Sequence, residues 1–191
     1  MRELKEILRQ NPIIAAARNE DLEKAMESSV EIIFLMFSSI TDITHSRFVS
    51  YSREKLIFIH FDLIRGLSGE REAVQFLHQV TPYVGILSTK GSVIKAAIKA
   101  DIQAIQRIFL IDTSSLNTSI EGVFSNEPTA VEIMPGIAPC IVPELRKRIP
   151  FPILLGGLIR SKKSIDAALE KGADGVSFSM PELWNYRPKG F

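Results

Sequence analysis

Residues 152–184 read PILLGGLIRSKKSIDAALEKGADGVSFSMPELW, and this stretch decides the fold. Pro152–Leu155 is a short apolar run of the kind buried on both faces of a parallel sheet. Gly156-Gly157 follows, two residues whose missing Cβ atoms let the backbone approach a ligand closely. Ser161 has the chemistry of an N-cap. Ile165, Ala168 and Leu169 share one helical face, and Gly172 closes the helix. Val176–Ser179 is the next strand. Ser179 and Glu182 then have capping-box spacing around Pro181, which predicts a short helix. In an eight-stranded β/α barrel, the loops after the last two strands and a short extra helix commonly form a phosphate site. The segment supplies those parts in order.

The same alternation extends N-terminally. Ile13–Ala17, Ile32–Phe37, Leu56–Asp62, Val84–Thr89, Gln106–Asp112 and Val131–Met134 read as six further strands. Helical patterns separate nearly all of them: Leu22, Ala25 and Met26; Ala73, Phe76, Leu77 and Val80; Ile94, Ala97 and Ile98; Ile141, Leu145 and Ile149. Ser39–Lys55 is poorly patterned and reads as an irregular helix, and Ser114–Pro128 as a weak one. Pro143 either kinks its helix or marks its true start. Parallel strands need such crossovers, so eight of them predict a compact α/β fold, a single-domain (β/α)8 TIM-type barrel over residues 1–191. Leu4, Ile7 and Leu8 put a helix ahead of the first strand, placed to cover the barrel bottom or to replace a missing outer helix.

Composition narrows the function classes. The 191 residues are 46% hydrophobic and 24% charged, with a net charge of +1, which is ordinary globular composition. A near-neutral chain is no generic polyanion binder, so any nucleic-acid role needs local clustering. No apolar run reaches membrane-spanning length, and the N-terminus is patterned as an amphipathic helix rather than a signal peptide. The single Cys140 has no activating motif, and neither it nor the three histidines suggest a metal site.

Strand ends at the C-terminal side of a barrel carry its chemistry. Gly156, Gly157, Ser177 and Ser179 are the candidate phosphate cradle. Ser88 and Lys90 follow the fourth strand, where Lys90 either pairs with an anion or is simply solvated. Asp62, Asp112 and Glu132 are carboxylates within or ending apolar strands. They read either as hydroxyl-binding or acid–base groups, or as bonded to loop amides and to a cation such as Arg107. His60 reads as a core histidine with its hydrogen bonds satisfied. Arg160, Lys162 and Lys163 crowd a helix N-terminus, which the helix dipole disfavours; with Arg18, Arg65 and Lys90 they make the upper face basic. Arg146, Lys147 and Arg148 sit at a helix C-terminus, where cations are favourable, at the opposite end.

The stretches NPIIAAARN, IIFLMF, IHFDLIRGLS, GILSTK, IQRIFLID, VEIMPGIAP, PILLGGLI and GADGVSFSMPELW together resemble the glycerol-3-phosphate-responsive antiterminator family over nearly the full length. The resemblance implies a cytoplasmic bacterial regulator without cofactor. Such a regulator binds glycerol 3-phosphate, then acts on the leader mRNA of a glycerol-utilisation operon to prevent premature termination. Gly156, Gly157, Ser177, Ser179, Ser88 and Lys90 would serve the phosphate; Asp62, Asp112 and Glu132 the polyol hydroxyls; Arg160, Lys162, Lys163, Arg65 and Arg18 the RNA. After the eighth strand the family usually has a Ser-Thr-Thr-Asn-like run, which Phe178, Met180 and Pro181 interrupt here. The rival reading is an enzyme (isomerase, lyase or hydrolase) acting on a small phosphorylated metabolite, and a homo-oligomer stays open.

Overall fold

The computed structural model describes residues 3–191. Eight parallel strands close into a barrel: β1 Ile13–Ala17, β2 Ile32–Leu35, β3 Leu56–His60, β4 Gly85–Ser88, β5 Ala104–Phe109, β6 Ala130–Met134, β7 Ile153–Gly156 and β8 Gly175–Phe178. Each pairs with its sequence neighbours, and β1 pairs with both β2 and β8, which closes the ring. The (β/α)8 barrel expected from the sequence is the observed fold. A short parallel ladder of Ser38–Ser39 with Ile64–Arg65 stands beyond the ends of β2 and β3.

Alternation along the strands produces two apolar layers. Ile14, Ile32, Phe34, Leu56, Phe58, Leu87, Ile105, Ala130 and Leu154 fill the barrel interior. Ile13, Ala15, Ile33, Leu35, Ile57 and Ile59 face outward into a larger layer beneath the helices. Inside, Phe34 and Phe58 meet edge to face with centroids 5.8 Å apart.

Nine helices flank the barrel: α1 Leu4–Gln10, α2 Leu22–Glu27, α3 Ile40–Ile43, α4 Ser46–Glu54, α5 Arg71–Val80, α6 Gly91–Lys99, α7 Thr113–Asn126, α8 Val142–Arg148 and α9 Lys162–Glu170, counted among the described residues. Helix α1 plugs the bottom, because Leu4, Ile7 and Leu8 join the interior layer. A side chain at Gly175 would fall 2.7 Å from Leu8 Cδ2, so position 175 makes room for the plug. The irregular Ser39–Lys55 segment resolves into α3 and α4. The weak Ser114–Pro128 pattern is a full helix, α7, capped by Asp112 and Ser115 in a reciprocal box. Pro143 marks the true start of α8, within the first two positions, where its missing N–H costs little.

The end of the chain differs from expectation. No capping box forms at Ser179 and Glu182; Pro181–Leu183 is a single 3-10 turn without a side-chain cap. What covers the outside of the barrel there is Trp184, fully buried in the outer layer, whose Nε1 donates to the Phe178 carbonyl at 3.0 Å. Burying an indole both removes apolar area and fixes the turn, and Met180, Leu183 and Tyr186 pack beside it on the outer layer.

Candidate functional site

The upper mouth of the barrel holds a cavity of about 320 Å³. Its lining includes Ala16, Arg18, Met36, Phe37, Arg107, Met134, Gly157–Arg160 and Ser177–Met180. That volume lies at the small end of ligand sites, suited to a small metabolite. At its floor Arg107, Glu132 and Ser177, all buried, form one network. Arg107 Nε donates to Glu132 Oε2 at 2.6 Å, and Ser177 Oγ donates to Glu132 Oε1 at 2.5 Å. Strand register sets the first pair, since Arg107 and Glu132 are lateral partners on β5 and β6. A buried ion pair tolerates desolvation only when its remaining lone pairs are bonded, and Ser177 supplies that bond.

The second pair crosses a strand. Glu132 on β6 reaches Ser177 on β8 over the backbone of β7, at Gly156. A Cβ there would fall 2.5 Å from Ser177 Oγ, 3.0 Å from Glu132 Cδ and nearer still to Glu132 Oε1. The space a side chain at 156 would take is therefore occupied from within, by Glu132 and Ser177. Gly157 has φ +77°, and a Cβ on it would fall 2.5 Å from Met134 Cε.

The other expected site residues separate. Ser179 is exposed at the cavity mouth beside Gly157 and Arg160. Ser88 and Asp62 lie outside the cavity lining and bond each other: Ser88 Oγ donates to Asp62 Oδ1 at 2.7 Å, while Thr89 N and Oγ1 donate to Oδ2 at 2.7 and 2.8 Å. Burial pushes the Asp62 carboxyl up, but those three bonds outweigh it and hold the group below its ordinary value. Asp112 accepts from Ser115 N at 2.7 Å as the α7 cap, and that backbone bond leads the downward shift of its carboxyl. Of the three carboxylates assigned to hydroxyls, none lines the cavity, and only Glu132 bonds residues that do, Arg107 and Ser177. Lys90 begins α6 with its ammonium over Gly69, apart from the cavity residues.

Among the cations, Arg18 and Arg160 stand at the mouth, and the Arg18 guanidinium lies 5.0 Å from the Phe37 ring centroid. Lys162 covers the Tyr186 ring at 5.2 Å, Lys163 is exposed beside it on α9, and Arg65 is exposed on the short ladder. Arg146 is at the other end, bonded to Asp174, to the Gly172 carbonyl at 3.0 Å and to the Phe151 carbonyl. Among the described residues no group of His, Cys, Asp and Glu could hold a metal ion.

Two features escaped the sequence reading. Arg107 was legible only as a partner for a carboxylate, although its inward position on β5 makes it the cation of the cavity floor. His60 does not behave as a satisfied core histidine: it is 4% exposed and, among the described residues, its Nδ1 has no partner. Burial, then the Arg107 charge, push its pKa from 6.5 down to about 4, so the ring is neutral.

A model of the family described as glycerol-3-phosphate responsive antiterminator matches residues 13–184. The chain belongs to this family. The match spans all eight barrel strands and the buried Trp184. The uncharacterized protein YgcP of Escherichia coli K12 is 32% identical over 184 residues, 96% of each chain. A glycerol uptake operon antiterminator regulatory protein from Listeria monocytogenes has a similar structure, with a TM-score of 0.86 and 29% identity over 93% of this chain and 96% of that one. A glycerol uptake operon antiterminator-related protein from Thermotoga maritima shares the fold, with a TM-score of 0.75 and 24% identity over 90% of this chain and 96% of that one. Membership of an antiterminator family sets the chain among regulators rather than enzymes. No helix among the described residues is long and apolar enough to cross a membrane.

Proposed function

We propose that this antiterminator binds glycerol 3-phosphate in the barrel-top cavity and, so loaded, engages the leader mRNA of a glycerol-utilisation operon to prevent premature termination. The observation that carries the ligand reading is the charge of the cavity. Its lining holds Arg18, Arg107 and Arg160 and, among the described residues, no carboxylate. The phosphate belongs at the mouth, between the Gly157–Arg160 and Ser179–Met180 loops. There Ser179 and the two rim arginines are free of the floor network. The glycerol hydroxyls belong at the floor, against Arg107 and Ser177, which Glu132 holds in place from behind the lining. Asp62, Asp112, Ser88 and Lys90 drop out of the ligand assignment, because the first three are engaged in loop and cap bonds and the fourth lies away. The carboxylates on which an enzymatic reading rested are all committed to those same bonds or to Arg107.

The RNA reading rests on what surrounds the mouth. Arg18, Arg160, Lys162 and Lys163 supply phosphate contacts, with Arg65 farther out. Phe37 and Leu158 line the cavity yet are 52% and 56% exposed, both held at positive φ, 55° and 61°. Bulky residues in that conformation are strained, and they concentrate at functional sites. An unpaired base can stack on Phe37 or on the guanidinium above it. Calorimetric titration tests the ligand. Glycerol 3-phosphate should bind, and at about 100 times its Kd should add roughly 2.7 kcal/mol of stability. Glycerol should do neither; equal effects from both would remove the phosphate from the site.

A further inference from the structure

We infer that His60, with Ser38 on the short ladder beyond β2, is a further ligand contact that takes a hydroxyl of the bound molecule. The inference rests on the cavity being the glycerol 3-phosphate site and extends its floor to β3. Leu56 and Phe58 point into the barrel, so alternation points His60 inward, two residues further up the same strand. The register pairs Leu35 with Ile59, which sets Met36 beside His60. Met36 lines the cavity, and its Sδ lies 3.9 Å from Arg107 Nη2. His60 therefore completes a ring of inward polar groups with Arg107, Glu132 and Ser177.

The other three members of that ring bond one another. Among the described residues His60 Nδ1 finds no hydrogen-bond partner, and neither does Ser38 Oγ, on a side chain 1% exposed two residues beyond Met36. Neither residue is in the cavity lining, but His60 adjoins Met36 and feels the Arg107 charge, and Ser38 follows Met36 by two residues. Native interiors rarely leave such atoms without a partner, so the pair behind Met36 marks where a partner from outside the chain belongs. The chemistry of the imidazole selects that partner. Held neutral by burial and by Arg107, the ring offers one donor and one acceptor nitrogen. A hydroxyl, which donates and accepts, suits either tautomer. A phosphate only accepts, and so suits one tautomer alone. The simpler rival is a permanently bound water.

Titration calorimetry with glycerol 3-phosphate and with propyl phosphate, the same chain length without hydroxyls, separates these. His60→Leu should raise the Kd for glycerol 3-phosphate about tenfold, the effect of losing one buried hydrogen bond. It should leave propyl phosphate within about twofold, since that ligand never made the bond. His60→Asn, which keeps a polar atom near the Nδ1 position, should recover most of the affinity, and Ser38→Ala should show the same selectivity with a smaller loss. If His60→Leu does not fold, the Asn and Ala variants and the His60 side-chain NMR signal carry the test. That signal should move with glycerol 3-phosphate and stay put with propyl phosphate. Equal weakening of both ligands would assign His60 to packing or to a structural water and overturn the inference, as would no change in either. Wild-type protein that binds both ligands equally refutes hydroxyl recognition alone. Wild-type protein that binds neither refutes the glycerol 3-phosphate reading, and this inference with it.

Discussion

Replacing Gly156 by alanine adds one methyl group to the place where the floor network crosses β7. The new Cβ would sit 2.5 Å from Ser177 Oγ and 3.0 Å from Glu132 Cδ, so the carboxylate has to leave. Its departure breaks the bond from Ser177, and a hydrogen bond to a charged group is worth about 1.5–3 kcal/mol. If the Arg107 pair breaks as well, the loss rises to about 3–5 kcal/mol, because a charge is left buried and unpaired. Against this, alanine restricts the unfolded chain and returns about 0.4–1 kcal/mol, since φ at 156 is not positive. The net expectation is a loss of about 2 kcal/mol, within a range of roughly 0.5–4.5. For a domain of this size that lowers Tm by roughly 4–8 °C. Equilibrium urea unfolding with an unchanged m-value measures it. Repeating the substitution in Ser177→Ala protein, where one bond is already gone, should reduce the penalty by about 1 kcal/mol. A Gly156→Ala protein as stable as the parent, or more so, would refute the argument that Glu132 is held across β7.

Lys162→Ala/Lys163→Ala should weaken leader RNA binding and flatten the dependence of log K on log salt by about 0.7 per lost contact, while glycerol 3-phosphate binding survives. Arg146→Ala/Arg148→Ala should leave RNA binding intact; the reverse outcome in the same filter-binding assay moves the RNA to the barrel bottom. Asp112→Ala should lower Tm by a few degrees through loss of the α7 cap and leave ligand affinity unchanged, which calorimetry would contradict if Asp112 held a hydroxyl. His60 imposes a pH dependence: its folded pKa is depressed from 6.5 to about 4. Between those values the unfolded chain binds the proton and the folded one does not. Stability should therefore fall by about 2 kcal/mol from pH 7 to pH 5, and His60→Asn should remove most of that slope in urea unfolding.

Much of this fold is legible along the chain. Apolar runs of four to six residues separated by helical faces specify parallel strands with crossovers, and eight of them specify a closed barrel. Leu4, Ile7 and Leu8 announce a helix with one buried face, and Pro143 announces the start of another. These features are local, decided by the period at which apolar residues recur, and local periodicity survives in a one-dimensional reading. The same holds for Ser161, whose capping box with Ser164 formed where an N-cap was expected.

The site is different in kind. Arg107, Glu132 and Ser177 are 25 and 45 residues apart in pairs, and they meet only because β5, β6 and β8 converge on one axis with those positions turned inward. A shift of one residue in any strand would turn the same side chain outward, so no spacing rule in the sequence predicts the contact. Gly156 shows the limit most clearly: a glycine after a strand suggests room for a ligand, yet the room is filled by a carboxylate from the neighbouring strand. Asp62 and Asp112 show it from the other side, since a strand-end carboxylate looks alike whether it faces a ligand or the first amides of a loop or helix. Which of those it does depends on where the backbone turns after the strand. His60 could be seen on an apolar strand, but its unpartnered nitrogen exists only relative to groups from other strands. The chain by itself determined the elements and their order. Barrel closure determined which polar groups share the interior and which of them still lack a partner, because satisfaction of a buried polar group is a property of three-dimensional neighbours.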